Sequence, residues 1–215
     1  MAPASPATRF MTEMDFDFTR LPEQDRYRLL TNFVGPRPIA LVSTIDEDGH
    51  HNAAPMSFFN VFSHEPPILI IGVQPREDGS PKDTVANLRR SGELVVHMVD
   101  LALAQAMLVT GRDYPPGTDE IAMAGLTAAP CHQVAAPRIA EAPCAMECRV
   151  EQIIDYPRRA IILARVVQMF VQDRCLDTKG RYVDPGTYQP IARLHADNYI
   201  ASDRQFVLED DPEWR

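Results

Sequence analysis

Residues 35–60 read GPRPIALVSTIDEDGHHNAAPMSFFN, and the reading of this stretch decides the fold. Ile39 to Ile45 is dominated by Ile, Leu, Val and Thr, which predicts a strand. Asp46-Glu47-Asp48-Gly49 follows as a turn, with Asp48-Gly49 the strong hairpin signal because a tight turn needs the positive φ that glycine accepts. His51 to Phe59 is then the returning strand. Pro55 interrupts it, and a proline has no N–H to give to a ladder, so it must sit where no ladder donor is needed.

Upstream, Thr19 is a candidate cap for a short helix from Pro22. Proline suits a first turn, and Glu23 and Asp25 suit the positive helix end. Gly35-Pro36-Arg37-Pro38 cannot lie inside a helix and ends that element. Downstream, Pro66-Pro67 opens a very apolar strand, ILIIGV, and residues 75–81 form a loop. Asp83 or Thr84 is placed to cap an amphipathic helix whose apolar side is Val85 and Leu88. Ser91-Gly92 ends it, ELVVHMV is the next strand, and residues 101–110 predict a second helix. Residues 111–143 are the least regular part.

Two longer strands, 145–155 and 160–172, are joined by Tyr156-Pro157-Arg158-Arg159 and predict a hairpin. The tail from 176 reads as loop with one short segment near 190–194. About six strands, few helices and hairpin spacing predict an all-β fold with short helices, a small antiparallel barrel. The expected divisions are a flexible leader over 1–14, one domain over 15–200 and an acidic tail over 201–215.

A chain of 215 residues has room for one sizeable domain. Its net charge of -9 argues against a nucleic-acid partner, which needs a basic face. No apolar run is long enough to span a membrane, and the first residues lack the apolar core of a secretory signal, so a cytoplasmic location is expected. Cys131, Cys144, Cys148 and Cys175 form no CxxC pair and read as reduced, packed thiols. His50-His51 reads as a solvated turn, so no metal site is assigned.

The hairpin and the helix start carry the candidate chemistry. Ser43, Thr44 and Ser57 supply hydroxyls, and Lys82, Asp83, Thr84 and Asn87 open the helix. Hydroxyls, helix-start amides and the cations Arg37 and Lys82 suit a phosphomonoester. Asn52, Ala53, Ala54 and Pro55 form a low strand on which a flat ring can approach backbone groups. The pattern suits a nucleotide-like ligand with an aromatic head. It equally suits strand-edge threonines and a helix cap, and the residues alone leave both open.

The series PRPIALVST, DG, NAAPMSFFN, PP and KDTVANL resembles the flavin reductase-like, FMN-binding split-barrel family over residues 30–100. The resemblance continues more loosely through the 145–172 hairpin and PIARLHADNY at 190–199. It implies a six-stranded antiparallel Greek-key split β-barrel, a homodimer with FMN near the interface, and hydride transfer from NADH or NADPH to the flavin. Electrons then pass to a monooxygenase or another acceptor.

Carried over by position, Ser43 and Thr44 look like ribityl or phosphate contacts. Asn52, Ala53, Ala54, Pro55 and Ser57 look like the strand under the ring, and Lys82, Asp83, Thr84 and Asn87 like the phosphate side. Arg37 either neutralises the phosphate or holds the hairpin. His195 and Tyr199 fall where the second substrate is expected, although His195 adds bulk where the family usually has a small residue. No catalytic side chain is assigned, since the flavin carries the redox chemistry. Two other functions share the fold: an FMN electron carrier without nicotinamide turnover, and a flavin-free binding module.

Overall fold

The structure, a computed structural model, describes residues 13–208. Most of the expected leader and the acidic end beyond 208 lie outside the described residues.

Helix α1 spans Glu23–Phe33 with Pro22 at its N-cap. Thr19 is not the cap; its hydroxyl donates to the Asp17 carboxylate at 2.6 Å. The strands that follow are β1 (Arg37–Pro38), β2 (Ala40–Ile45), β3 (His51–Met56), β4 (Phe59–His64) and β5 (Pro67–Val73). After them come α2 (Asp83–Ser91), β6 (Glu93–Met98), α3 (Ala104–Thr110), α4 (Glu120–Met123), β7 (Ala128–Ala129) and β8 (Arg138–Ile139). The chain then runs through β9 (Cys144–Tyr156), β10 (Arg159–Val171), β11 (Ile191–Arg193) and β12 (Tyr199–Ala201).

Seven strands form the main antiparallel sheet in the order β3-β2-β6-β9-β10-β5-β4. Its two outermost strands, β3 and β4, are consecutive in the chain and joined only by Ser57 and Phe58. A sheet whose edges are tied by two residues must curl into a barrel. At the seam the Gly72 N–H donates to the Phe58 carbonyl at 2.7 Å. Irregular pairing of β9 with β10 at Leu163/Ala164 and Val166/Gln168 adds the local bend that β-bulges provide.

The fold is therefore mostly β with a few short helices, a split barrel, as expected. The strand count is seven in this sheet and not six. The second arm of the hairpin does not run on to Phe59; the chain turns at Ser57-Phe58 and β4 pairs back on β5.

The period of two along β2 sorts the core. Ala40 and Val42 pack inward with Ile71, Leu94, Val96 and Ile162, and α2 closes that core with Val85 and Leu88. Ile39, Leu41 and Ala53 join a second cluster with Leu103, Met107 and Ile121 on the opposite face. Helix α2 stops at Gly92, whose φ of 69° is the left-handed conformation that favours glycine at a helix end. Neither Asp83 nor Thr84 caps it: the N-cap is Lys82 and no side chain fills the role.

The irregular 111–143 region contains α4, whose start is capped by Asp119 accepting the Ala122 N–H at 2.9 Å. β1, β11 and β12 form a small separate sheet, and β12 was not anticipated. All four cysteines are unpaired, and burial pushes the Cys148 thiol up to about 12. Among the described residues no helix is long and apolar enough to cross a membrane.

Candidate functional site

Strand β3 is an edge of the main sheet, which is why Pro55 is tolerated there. Its free edge is covered by α3 and α4. A Cβ on Gly111, just after α3, would lie 3.1 Å from Pro55 Cγ, so a side chain there would press on the Pro55 ring. Where the cover stops, a cavity of about 390 Å³ opens along the seam.

One wall of the cavity is backbone-rich and runs through Asn52, Ala53, Ala54, Pro55, Met56, Ser57 and Phe58. The loop before α2 contributes Lys82, Asp83 and Thr84. Eight residues singled out from the sequence (Asn52, Ala53, Ala54, Pro55, Ser57, Lys82, Asp83 and Thr84), together with Tyr199, thus meet around one cavity.

Ser43, Thr44, Asn87 and Arg37 do not line it. The Ser43 hydroxyl is fully buried and donates to the Pro137 carbonyl. Thr44 Oγ1, also buried, accepts from Asn52 Nδ2 at 3.1 Å and from Asn87 Nδ2 at 3.0 Å. Asn52 Nδ2 reaches Thr84 Oγ1 at 3.2 Å as well. Thr44 and Asn87 therefore hold the lining residues Asn52 and Thr84 in place from behind.

The Arg37 guanidinium is engaged by backbone carbonyls outside the β2–β3 hairpin. It donates to the Thr31 carbonyl at 2.7 Å, to Val34 at 3.0 Å and to Leu194 at 2.7 Å. It satisfies carbonyls at the C-terminal end of α1, the negative end of the helix dipole, and ties them to the loop after β11. His195 is exposed in the turn between β11 and β12 and is not a lining residue, although Arg193 and Asp197 on either side of it are. Tyr199 lines the cavity, with the Arg193 guanidinium 5.8 Å from its ring centroid.

Several lining residues were not foreseen. Arg76 pairs with Asp83 at 2.7 Å and holds the Pro81 carbonyl, bracing the loop before α2. Arg159 stacks on Phe58 at 4.8 Å, and Tyr27 meets the same ring edge-on at 6.4 Å between centroids. Lys82 and Arg159 have no carboxylate partner among the described residues. Glu120, at the first turn of α4, accepts the Ala53 N–H at 3.2 Å. Burial holds its carboxyl above the usual range, with Asp83 and Asp119 adding to the effect. The only sequence signal for it was the Asp119-Glu120 pair, which marks a helix start.

The curled sheet and the cavity at its seam define a split β-barrel protein. The chain belongs to the flavin reductase like family, whose domain model matches residues 35–191. A protein of Aquifex aeolicus is 41% identical over 81% of this chain and 88% of its own length. Among solved structures, nitrilotriacetate monooxygenase component B from Bacillus cereus superposes with a TM-score of 0.87 and 32% identity, covering 92% of this chain and all of its own. The 2-nitrobenzoate 2-nitroreductase of Pseudomonas fluorescens gives 0.84 and 32%, covering 93% and 97%.

Proposed function

We propose that this protein binds FMN in the seam cavity and acts as an NAD(P)H-dependent flavin oxidoreductase. The observation that carries the reading is one cavity lined by two unlike groups. One is a low backbone edge at Ala53 to Ser57, and the other is the Lys82 ammonium, without a carboxylate partner among the described residues, with the Thr84 hydroxyl. The residues present fit the ligand. A volume of about 390 Å³ lies within the roughly 300–1,000 Å³ of small-ligand sites, and the donors suit a flat heteroaromatic ring and a phosphomonoester.

In this reading Lys82 and Thr84 hold the phosphate, while Asn52 and the backbone of Ala53, Ala54, Pro55 and Ser57 face the ring. Ile39 and Met107 exclude water from the inner wall. FMN, when bound, supplies the hydride-accepting chemistry, and the protein supplies position and electrostatics. Tyr199 and the Arg159–Phe58–Tyr27 group border the space left for a second, planar substrate, and His195 stands on the exposed turn between Arg193 and Asp197, which reach the cavity. The electron acceptor is either a monooxygenase component, as the Bacillus cereus neighbour's name points to, or a nitroaromatic, as the Pseudomonas fluorescens neighbour's does.

The deciding experiment is the visible spectrum of purified protein before and after anaerobic NADH or NADPH. A flavin band that bleaches supports the reading. A band that persists would make the protein an electron carrier, and colourless protein that leaves FMN fluorescence unquenched would sink both.

Lys82→Ala is expected to weaken FMN binding by about 1.5–3 kcal/mol, or roughly 10- to 150-fold, since a charge-assisted contact is lost. Thr84→Ala should cost less, about 0.5–1.5 kcal/mol, as expected for a neutral hydroxyl. Fluorescence titration measures both, and unchanged affinity in the two variants removes this loop from the site.

A cytoplasmic homodimer is part of the proposal. Phe33 and Val34 at the end of α1, and Val61 and Phe62 on the edge strand β4, are between 61% and 81% exposed. Apolar side chains exposed in this way, two of them on an edge strand, suit burial against a second copy. Sedimentation velocity should give twice the chain mass, and Phe62→Lys should shift it toward the monomer. A monomeric wild-type protein refutes the dimer.

A further inference from the structure

Among the acids lining the cavity, Glu120 alone is buried, with 8% of its surface exposed. Its Oε2 accepts the Ala53 N–H at 3.2 Å, so the carboxyl is pinned to the strand proposed to underlie the ligand ring. No cation pairs with it among the described residues. The groups around it do not neutralise it. At the N-cap of α4 stands Asp119, beside which His51 of β3 places Nδ1 at 3.1 Å. From α2 comes Asp83, its charge already shared with Arg76. Helix α3 presents no titratable side chain, and the loop after it brings Arg112, Asp113 and Tyr114 to the same cavity.

A carboxylate without a cation keeps its charge only through hydrogen bonds and water. Oε2 has the Ala53 N–H, and the rest of the group draws its solvation from the cavity. A planar ligand filling that space displaces the water and leaves the charged form with only the backbone N–H groups of Ala53 and of Glu120 itself, and no cation. The neutral acid is then the cheaper species, and its O–H becomes a donor where the carboxylate had only been an acceptor.

We propose that Glu120 takes up a proton from solvent when a flavin-type ligand fills the seam cavity, and becomes the cavity's own hydrogen-bond donor. The inference rests on the flavin reading above and adds a proton-holding residue to it. Burial already favours the neutral acid in the empty cavity, so uptake is expected in a window above the ordinary carboxylate range. Because the bound state holds more protons, affinity falls as pH rises through that window, by up to about tenfold per pH unit where uptake is complete.

The test uses riboflavin, which has no phosphate to titrate, in calorimetric titrations of the full chain from about pH 5 to pH 8. Each pH is run in two buffers of different ionisation enthalpy. Wild-type protein should show buffer-dependent heats that report uptake approaching one proton per ligand, together with an affinity that weakens toward high pH. Glu120→Gln keeps an oxygen for the Ala53 N–H and carries no titrating proton, so its heats should be the same in both buffers and its affinity flat. Binding without proton uptake in the wild type, or equal uptake in Glu120→Gln, overturns this inference and leaves the flavin reading standing. No binding of riboflavin or FMN at any pH overturns both.

Discussion

Glu147→Ala is expected to lower stability by about 2–4 kcal/mol, a large share of the roughly 5–15 kcal/mol that holds a typical domain. Glu147 lies on β9 and is fully buried. Its Oε1 accepts the His132 N–H at 2.9 Å, and its Oε2 accepts those of Gln133 at 2.5 Å and Val134 at 3.1 Å. One carboxylate thus satisfies three consecutive backbone donors of a loop with no ladder of its own. Removing it strands all three, and a buried donor left unpaired, as that of Val134 would be, costs about 1–3 kcal/mol, with smaller losses at the more exposed His132 and Gln133. Chemical denaturation measures the loss. Glu147→Gln should fall between, since it keeps one acceptor oxygen but turns an NH₂ group toward N–H donors. An alanine variant within about 1 kcal/mol of wild type would mean that water replaces the carboxylate, and that the loop does not depend on it.

The same loop shows why parts of the molecule were legible in the sequence and others were not. Local patterns translated directly. The aliphatic run to Ile45 and the Asp48-Gly49 turn gave the β2–β3 hairpin, with Gly49 at φ 89° and the Asp46 carboxylate holding the N–H groups of Asp48 and His50. Pro55 announced an edge strand by what it lacks.

Features that depend on distant partners were hidden. β4 carries exposed Val61 and Phe62, which blurs the alternation that marks a strand. Arg37 stood in a motif full of ligand contacts, yet its three acceptors are backbone carbonyls, which have no signature in a side-chain pattern. Thr44 and Asn87 belong to the right neighbourhood but stand one layer behind the cavity. Glu120 and Arg159 enter from segments 60 or more residues away from β3, where only the curl of the sheet brings them to the seam.

Stability should also fall as the solution is acidified, in a window set by His97. The ring is fully buried on β6, and desolvation lowers its pKa from 6.5 to about 4, with Arg138 adding to the effect. Nδ1 donates to the Leu41 carbonyl at 2.8 Å and Nε2 accepts the Ile139 N–H at 2.9 Å. The neutral ring satisfies both contacts, joining β2 to β8. A second proton would sit on Nε2 and point at the Ile139 N–H. Above about pH 6.5 the ring is neutral in folded and unfolded chains alike, and its contribution is fully present. Below that the unfolded chain binds a proton that the folded one refuses. Stability therefore drops as pH falls, by up to about 1.4 kcal/mol per pH unit, and levels off near pH 4 after a loss of about 3 kcal/mol. His97→Gln keeps an acceptor for Ile139 and cannot titrate. It should be less stable than wild type at pH 7.5, yet lose less on going to pH 4.5. The difference between the two urea-denaturation profiles isolates this residue from every other titrating group. Parallel profiles would show that His97 is protonated in the folded state and that its contact with the Ile139 N–H is made differently.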